Sequence, residues 1–391
     1  MAALSRISPV GFPGTIAPVI SPARVAAFEI LQLVETGSYA SELLLTRTAD
    51  FDKRDAGLAS EIVFGSLRYQ AQLDFLISQH TRKKLDLPVR VALRMGIYQI
   101  RHLDRVPSHA IVTESVELVK RAKKRSAAGF VNAILRKINR DAVQWPDRAT
   151  RFSMPAWLLA RWDRQFGEER ATAIARAFLK PPETYVRNPS GREGLMVEAT
   201  DVPGCFRVIG GETRDLRIQD IGSQSIVPLL DLQEGQTFLD LCSAPGNKTA
   251  QALEYGVRAV ACDRNWNRLE NVSCTERVVL DAGRPLPFRR SFDRILVDAP
   301  CSGTGTLGRN PEIRWRVRES DLDDLHERQT RMLKIALESL APGGRLVYST
   351  CSLEPEENEN VVAQFHPAVT FRRTPGLEPG DGFFAAVITS E

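Results

Sequence analysis

Two cysteines of this 391-residue chain come directly after runs of β-forming residues. Cys301 follows the apolar run at 295–297 and the acid Asp298, and Cys351 follows the run at 346–350. A single buried cysteine at such a place is most often a small apolar side chain. Two of them at the ends of predicted strands, one with an acid close by, indicate thiols that take part in chemistry.

A thiol, a carboxyl group and an adenosyl-binding turn together fit methyl transfer to carbon. C5 of a pyrimidine is too weak a nucleophile to take a methyl group directly, but addition of a thiolate at C6 makes C5 enamine-like. A carboxyl group at the N3/N4 edge of the ring, such as that of Asp298, would offset the charge that develops. A base must then remove the C5 proton, and a second cysteine suits that step. Spacing alone leaves open whether Cys301 or Cys351 is the nucleophile.

The run DLCSAPGNKT at 240–249 predicts a turn of small residues that enters a helix. It is not a dinucleotide fingerprint, because Gly246 is its only glycine, and it is not a P-loop, because Asn247 separates that glycine from the lysine. Backbone N–H groups of the remaining turn can face a carboxylate or an adenosyl group. Asp263 ends the next predicted strand, where a carboxylate can accept both hydroxyls of a ribose.

Alternating strands and helices position these residues in the second half of the chain. Such alternation is typical of a parallel, doubly wound sheet that binds ligands at the carboxyl ends of its strands. The β-rich runs are 237–241, 258–262, 277–280, 293–297, 345–349 and 383–389. Only 18 positions separate Asp263 from Asp281, which is too few for the usual long helix between two such strands.

The first third of the chain has helical periodicity almost throughout. A capping serine and a first-turn proline stand at 21–22. We expect a helical domain of about five helices at 21–145, after a disordered tail at 1–20. Prolines around a predicted helix at 156–178 indicate a small α+β connector at 146–215. The further helices predicted in the first domain are 53–80, 87–103, 108–124 and 126–140.

Composition and charge exclude several classes of protein. No long apolar run, secretion signal or C-x-x-C pair is found in the sequence, so we expect a cytosolic protein without a zinc site. Residues 1–145 carry 21 Lys and Arg against 13 Asp and Glu, a net charge of +8, and the remainder carries −4. This excess indicates phosphate binding or, equally well, a solvated basic surface. Its densest cluster is Lys120, Arg121, Lys123, Lys124, Arg125, Arg136, Lys137 and Arg140.

Three motifs in order resemble those of one enzyme family. DLCSAPGNKT at 240–249, DAPCSG at 298–303 and STCSLEPEENE at 349–359 resemble the NOL/NOP/Sun RNA cytosine-C5 methyltransferases. QDIGSQ at 219–224 and DGFFA at 381–385 are further matches. The resemblance implies a Rossmann-like α/β methyltransferase domain.

The helical front resembles the NusB-like domain of the RsmB (Sun/Fmu) branch of that family. The matching segments are GIYQ at 96–99, PSHA at 107–110 and GFVNAILR at 129–136. The resemblance implies an all-α, RNA-binding NusB-like domain at 21–145, joined through the α+β connector to a methyltransferase domain at 216–391.

The resemblance also implies that S-adenosylmethionine is the cofactor. Asp263 would hold its ribose, Asp281 would lie by its adenine and Asp298 would contact both cofactor and cytosine. The family's turn usually reads Pro-Gly-Gly-Lys, and Asn247 replaces the second glycine; asparagine tolerates the positive φ expected there better than most residues. The turn around the methionine part would comprise Cys242, Ser243, Ala244, Pro245, Gly246, Asn247 and Lys248.

The catalytic roles follow from the same resemblance. It implies that Cys351 is the nucleophile, that Cys301 assists product release, and that Asp298 and Lys248 complete the catalytic group. The expected substrate is a cytosine of 16S rRNA. Two alternatives stay open: the same chemistry on tRNA, and a non-catalytic RNA-binding factor in ribosome assembly.

Overall fold

The structure, a computed structural model, describes residues 20–189, 192–213, 215–289 and 291–390. The predicted tail at 1–20 lies outside the described residues, apart from its last residue. The chain forms two compact units. The first contains the described residues up to Ser66 and Leu73–Gln144, and the second contains Leu67–Gln72 and the chain from Trp145 onward.

Seven α-helices lie between residues 22 and 135, in a part of the chain that is described without gaps. Helix α5 is the centre of the first unit: most of its side chains from Val89 to Ile100 are buried, and it packs against α1, α6 and α7. The helices are α1 (Pro22–Val34), α2 (Ala40–Arg47), α3 (Lys53–Arg68), α4 (Gln70–Ser78), α5 (Leu87–His102), α6 (Ser108–Arg121) and α7 (Ala128–Leu135).

The helix predicted at 53–80 is two helices, which meet at Tyr69. The break falls where Leu67–Gln72 leaves the first unit and packs in the second. There the N–H of Ala71 donates to Oγ of Ser153 at 3.0 Å, in place of a helical carbonyl. Tertiary contacts therefore override a helical pattern that is continuous in the sequence. The short helix α2 was not predicted, because it buries only two side chains.

The second unit begins with three helices and a small antiparallel sheet. The helix predicted at 156–178 is divided by Gly167, whose φ of 82° ends one helix and starts the next. Strand order in the small sheet is β1-β3-β2. The elements are α8 (Arg148–Phe152), α9 (Ala156–Phe166), α10 (Glu168–Ala177), β1 (Tyr185–Arg187), β2 (Met196–Ala199) and β3 (Cys205–Gly210).

A seven-stranded sheet with the order β6-β5-β4-β7-β8-β10-β9 forms the rest of the second unit. Strands β4 to β8 are parallel, as predicted, whereas β9 and β10 are antiparallel to their neighbours. Only nine residues join β9 to β10, too few for a parallel crossover. The strands are β4 (Thr237–Asp240), β5 (Arg258–Asp263), β6 (Glu276–Val279), β7 (Phe292–Asp298), β8 (Leu340–Thr350), β9 (Val369–Arg373) and β10 (Phe383–Thr389).

Both faces of the large sheet are buried. Neighbouring strand residues such as Phe238 and Leu239 enter cores on opposite faces, and Leu333 packs into one of these cores. The edge at the carboxyl ends of the parallel strands is left for a ligand. No helix among the described residues is long and apolar enough to cross a membrane. The remaining helices are α11 (Ile221–Gln224), α12 (Asn247–Leu253), α13 (Trp266–Leu269), α14 (Ile313–Arg316), α15 (Asp321–Leu337) and α16 (Glu359–Val362).

Candidate active site

The two predicted catalytic cysteines meet at the carboxyl edge of the large sheet. Cys351 directly follows β8, and Cys301 lies three residues beyond the end of β7. Their sulfur atoms are 3.4 Å apart. The hydrogen bond to Cys351, together with burial, raises the pKa of the Cys301 thiol well above its usual range. Before a ligand binds, Cys301 is therefore held as a protonated thiol.

Asp298 lies beside the cysteines and accepts two hydrogen bonds. Lys248 Nζ donates to its Oδ2 at 2.7 Å, and Ser349 Oγ donates to its Oδ1 at 2.7 Å. Burial lowers the pKa of Lys248, but the charge of Asp298 and their hydrogen bond raise it more. The ammonium also lies 5.2 Å from the ring centroid of Phe383. Lys248 therefore stays charged inside the site, where it is paired with Asp298.

A cavity of about 510 Å³ adjoins this group and brings together three predicted cofactor residues. Cys242, Asp263 and Asp281 all line it, along with Pro300 from the segment that carries Cys301. Asp263 is buried, and its Oδ1 accepts the N–H of Asn265 at 2.9 Å. The volume falls in the usual range of small-molecule sites, about 300–1,000 Å³.

A side-chain hydrogen bond and close packing fix the turn between β4 and α12. Thr249 Oγ1 donates to Oδ2 of Asp240 at 2.7 Å, and burial raises the pKa of Asp240 to about 7. Gly246 has a φ of 103°, and a Cβ there would lie 3.1 Å from the side chain of Val272. The expectation of a positive φ at Asn247 is wrong, because Asn247 begins α12 and Gly246 alone takes the left-handed conformation.

Few residues separate Asp263 from Asp281, and the structure shows what fills the gap. Helix α13 is only four residues long. The side chain of Asp281 is 62% exposed and lies 3.8 Å from Arg284. The side of the cavity beside Asp281 therefore lacks the wall that a longer helix would provide.

Sequence reasoning missed a buried clamp behind the cysteines. Glu357 accepts the N–H of Ser302 at 2.8 Å and hydrogen bonds from the hydroxyls of Ser302 and Ser352. Gln329 of α15 donates to Glu357 at 3.0 Å and to the carbonyl of Pro300 at 2.9 Å. Ser302 and Ser352 each directly follow a cysteine, so one carboxylate fixes both loops. Glu357 stands in the run 349–359, and this match was the only signal in the sequence.

The two outer motifs meet at Arg309. Its guanidinium donates to Asp381 at 2.6 Å and to Asp220 at 2.7 Å. Burial, together with the charge of Asp220, raises the pKa of Asp381. The structure thus joins the motifs at 219–224 and 381–385 to the loop that follows Cys301. Asp220 and Asp381 of these motifs therefore hold that loop and do not line the cavity.

Comparison with known proteins agrees with this arrangement. The family model of the 16S rRNA methyltransferase RsmB/F matches residues 227–381, and the NusB family model matches residues 21–140. Ribosomal RNA small subunit methyltransferase B of Sodalis glossinidius is 32% identical, covering 94% of this chain and 97% of its own. The protein with the same name from Yersinia pestis is 32% identical over 93% and 97%.

One solved structure shares nearly the whole architecture. The crystal structure of PH0851 has a TM-score of 0.79 at 22% identity, covering 96% of this chain and 100% of that chain. The helical first unit, the sheet order and the cavity at the carboxyl edge define a Rossmann-like methyltransferase with a NusB-like front. The chain belongs to the RsmB/F family of methyltransferases.

Proposed function

We propose that this protein transfers a methyl group from S-adenosylmethionine to C5 of a cytosine in 16S rRNA, through a covalent bond between Cys351 and C6. The observation that carries the proposal is the contact of Cys301 with Cys351 beside the Asp298–Lys248 pair. A thiol and a carboxylate at one sheet edge are what activation of C5 requires, and the second thiol suits removal of the C5 proton. The names of the relatives support rRNA as the substrate.

The residues around the cavity fit S-adenosylmethionine. Oδ1 of Asp263 is held by a backbone N–H, which orients the carboxylate for a ribose hydroxyl. Asp281 would lie by the adenine, and the turn from Cys242 to Lys248 would surround the methionine part. When bound, the cofactor supplies an electrophilic methyl group.

The chain's own groups carry the proton and the electron pair. The Cys351 sulfur forms a bond to C6, and its proton ends on N3 of the ring. Asp298 accepts a hydrogen bond from the N4 amine and, once C5 carries the methyl group, balances the positive charge that then develops at N3. Lys248 donates a hydrogen bond to Asp298 and fixes the position of its carboxyl group. After C5 is methylated, Cys301, having passed its own proton to water, takes the C5 proton. The C6–S bond then breaks, its electron pair returns to Cys351, and the proton on N3 goes back to that sulfur.

The test separates the two cysteines by the step each performs. With Cys351→Ala the first bond cannot form, so we expect neither methylation nor a covalent RNA adduct. With Cys301→Ala we expect methylation that stalls at the thioether, which a denaturing gel shows as a slow-migrating protein–RNA species. Asp298→Ala should abolish both products, because the uncompensated adduct is too unstable to accumulate. An adduct in Cys351→Ala but none in Cys301→Ala would reverse the assignment.

A further inference from the structure

The cofactor cavity is lined by more positive charge than its acids balance. Two acids line it, Asp263 and Asp281, against five arginines. S-adenosylmethionine itself has a sulfonium, an ammonium and one carboxylate, so the molecule is a net cation. Like charges repel, and arginines at this place therefore serve something other than the cofactor. The arginines are Arg264, Arg268, Arg284, Arg328 and Arg331.

The side chains of three of these arginines form neither an ion pair nor a hydrogen bond with the residues that the structure describes. Arg284 lies near Asp281, and Arg268 donates to the carbonyl of Ala244 at 3.3 Å. Arg264, Arg328 and Arg331, here called the lip arginines, form no ion pair with any residue that the structure describes. All three are exposed. They present unpaired guanidinium groups to a ligand from outside.

The lip arginines come from two different elements that line the cavity. Arg328 and Arg331 are one turn apart on α15, so they share a face of that helix. Arg264 comes directly after β5, whereas α15 packs against β7 and β8, which lie beyond β4 in the sheet order. Helix α13, which follows Arg264 in the chain, has only four residues.

We propose that the lip arginines bind consecutive phosphates of the target RNA strand, which thereby crosses the mouth of the cofactor cavity. The inference rests on the proposed function, since it takes RNA as the substrate. Guanidinium groups pair with phosphate oxygens through two parallel hydrogen bonds, and such contacts position a strand without reading its sequence. The strand then supplies the cover that the shortened segment between Asp263 and Asp281 does not provide.

The experiment compares charge reversals on one helix. Arg331→Glu and Arg328→Glu change lip arginines, and Lys334→Glu makes the same change in charge at an exposed position of α15 that does not line the cavity. Binding of a labelled ten-nucleotide oligocytidylate to each full-length protein is measured by fluorescence anisotropy, from about 50 to about 200 mM salt. Binding of S-adenosylmethionine is measured in parallel by calorimetry.

We expect each lip variant to bind the oligonucleotide more weakly and to lower the slope of log K against log salt by about 0.7, the value for one lost phosphate contact on a single strand. Lys334→Glu should keep the wild-type slope, and all three proteins should bind S-adenosylmethionine as well as the wild type or better. The wild-type complex with S-adenosylmethionine should also release it more slowly when the oligonucleotide is present.

Two results would overturn the proposal. One is the same slope in the lip variants as in Lys334→Glu, which would make the lip arginines a solvated surface. The other is weaker S-adenosylmethionine binding in the lip variants with unchanged oligonucleotide binding, which would assign them to the cofactor. Neither result touches the proposed reaction, which the Cys301 and Cys351 variants test separately.

Discussion

Cys301 and Cys351 differ in the charges around them, although their sulfur atoms are in contact. Cys351 lies close enough to Lys248 to be among the groups that raise the pKa of that lysine. Cys301 instead lies near the carboxylate of Glu357, which helps to raise the pKa of its thiol. Cys351 therefore has a positive charge nearby, and Cys301 has a negative one. The sequence could not supply this distinction, because both cysteines follow a strand and only the fold decides which one faces the lysine.

Asp263 allows a test of the cofactor site at a single carboxylate. Asp263→Ala removes charge-assisted hydrogen bonds to the ribose hydroxyls, so we expect S-adenosylmethionine affinity to fall by roughly 10- to 150-fold, which corresponds to about 1.5–3 kcal/mol. Calorimetry on the purified full-length protein measures the change directly.

Asp281→Ala is the comparison for that measurement. Its carboxylate lines the same cavity but is mostly exposed, and water screens its contacts. We expect Asp281→Ala to lose less affinity for S-adenosylmethionine than Asp263→Ala does. If Asp263→Ala binds S-adenosylmethionine as tightly as the wild type, Asp263 does not bind the cofactor.

At the scale of elements, the two cysteine loops differ in how they are anchored. Cys351 follows the end of β8, which pairs with strands on both sides, and its carbonyl accepts the N–H of Gly305 at 2.9 Å. The segment that carries Cys301 is a loop, and Ser302 depends on Glu357 for two hydrogen bonds. Loss of Glu357 should therefore displace Cys301 more than Cys351.

Glu357→Ala is expected to impair the step that Cys301 performs. We predict that the covalent RNA adduct forms but decays about tenfold more slowly than in the wild type, the effect of about 1.4 kcal/mol on the barrier. Quenched time points on a denaturing gel measure adduct formation and decay separately. The double variant with Cys301→Ala should decay no more slowly than Cys301→Ala alone, because both changes act on one step.

Glu359→Ala is the matched control, since Glu359 lies two residues further on and is exposed. Its adduct should decay at the wild-type rate. If Glu357→Ala lowers the melting temperature and leaves adduct decay unchanged, the clamp stabilises the fold and has no part in release.

The elements also show what sequence patterns can predict. The six predicted strands are all present, and most of their predicted ends lie within one or two residues of the observed ends. The prediction succeeds because a sheet buried on both faces requires long apolar runs. Strand β9 was missed, since its side chains are mostly exposed or half-buried and give no apolar run. The Glu357 clamp was missed for a different reason: its partners Gln329 and Ser302 are 28 and 55 residues away in the chain.

At the scale of the whole molecule, the second unit is built from two separate segments of the chain. Leu67–Gln72 packs there, and Arg68 donates to the carbonyl of Gly308 while Gln72 donates to that of Arg151. Deleting residues 1–145 would remove these contacts along with the helical front. RNA binding by the front must therefore be tested by substitution rather than by truncation.

The basic cluster at 120–140 offers less free positive charge to phosphates than its eight basic residues suggest. Four of its eight residues form ion pairs with acids of the same unit. Such pairs lower the charge that is available to phosphates. The unpaired members are Lys123, Arg125, Arg136 and Lys137, and two of them, Arg125 and Arg136, serve as the probe below.

Arg125→Gln with Arg136→Gln should weaken binding of a 16S rRNA transcript and lower the salt slope by about 1.4–1.8, since two phosphate contacts are lost and each contributes about 0.7–0.9. S-adenosylmethionine affinity should stay unchanged, because the cavity is built entirely from the second unit. Lys83→Gln with Lys84→Gln removes the same charge from another exposed part of the first unit and serves as the control. Filter binding across a salt series gives the slopes. If both double variants lower the slope equally, the net charge of +8 acts as a diffuse attraction, and the cluster at 120–140 has no specific contact with RNA.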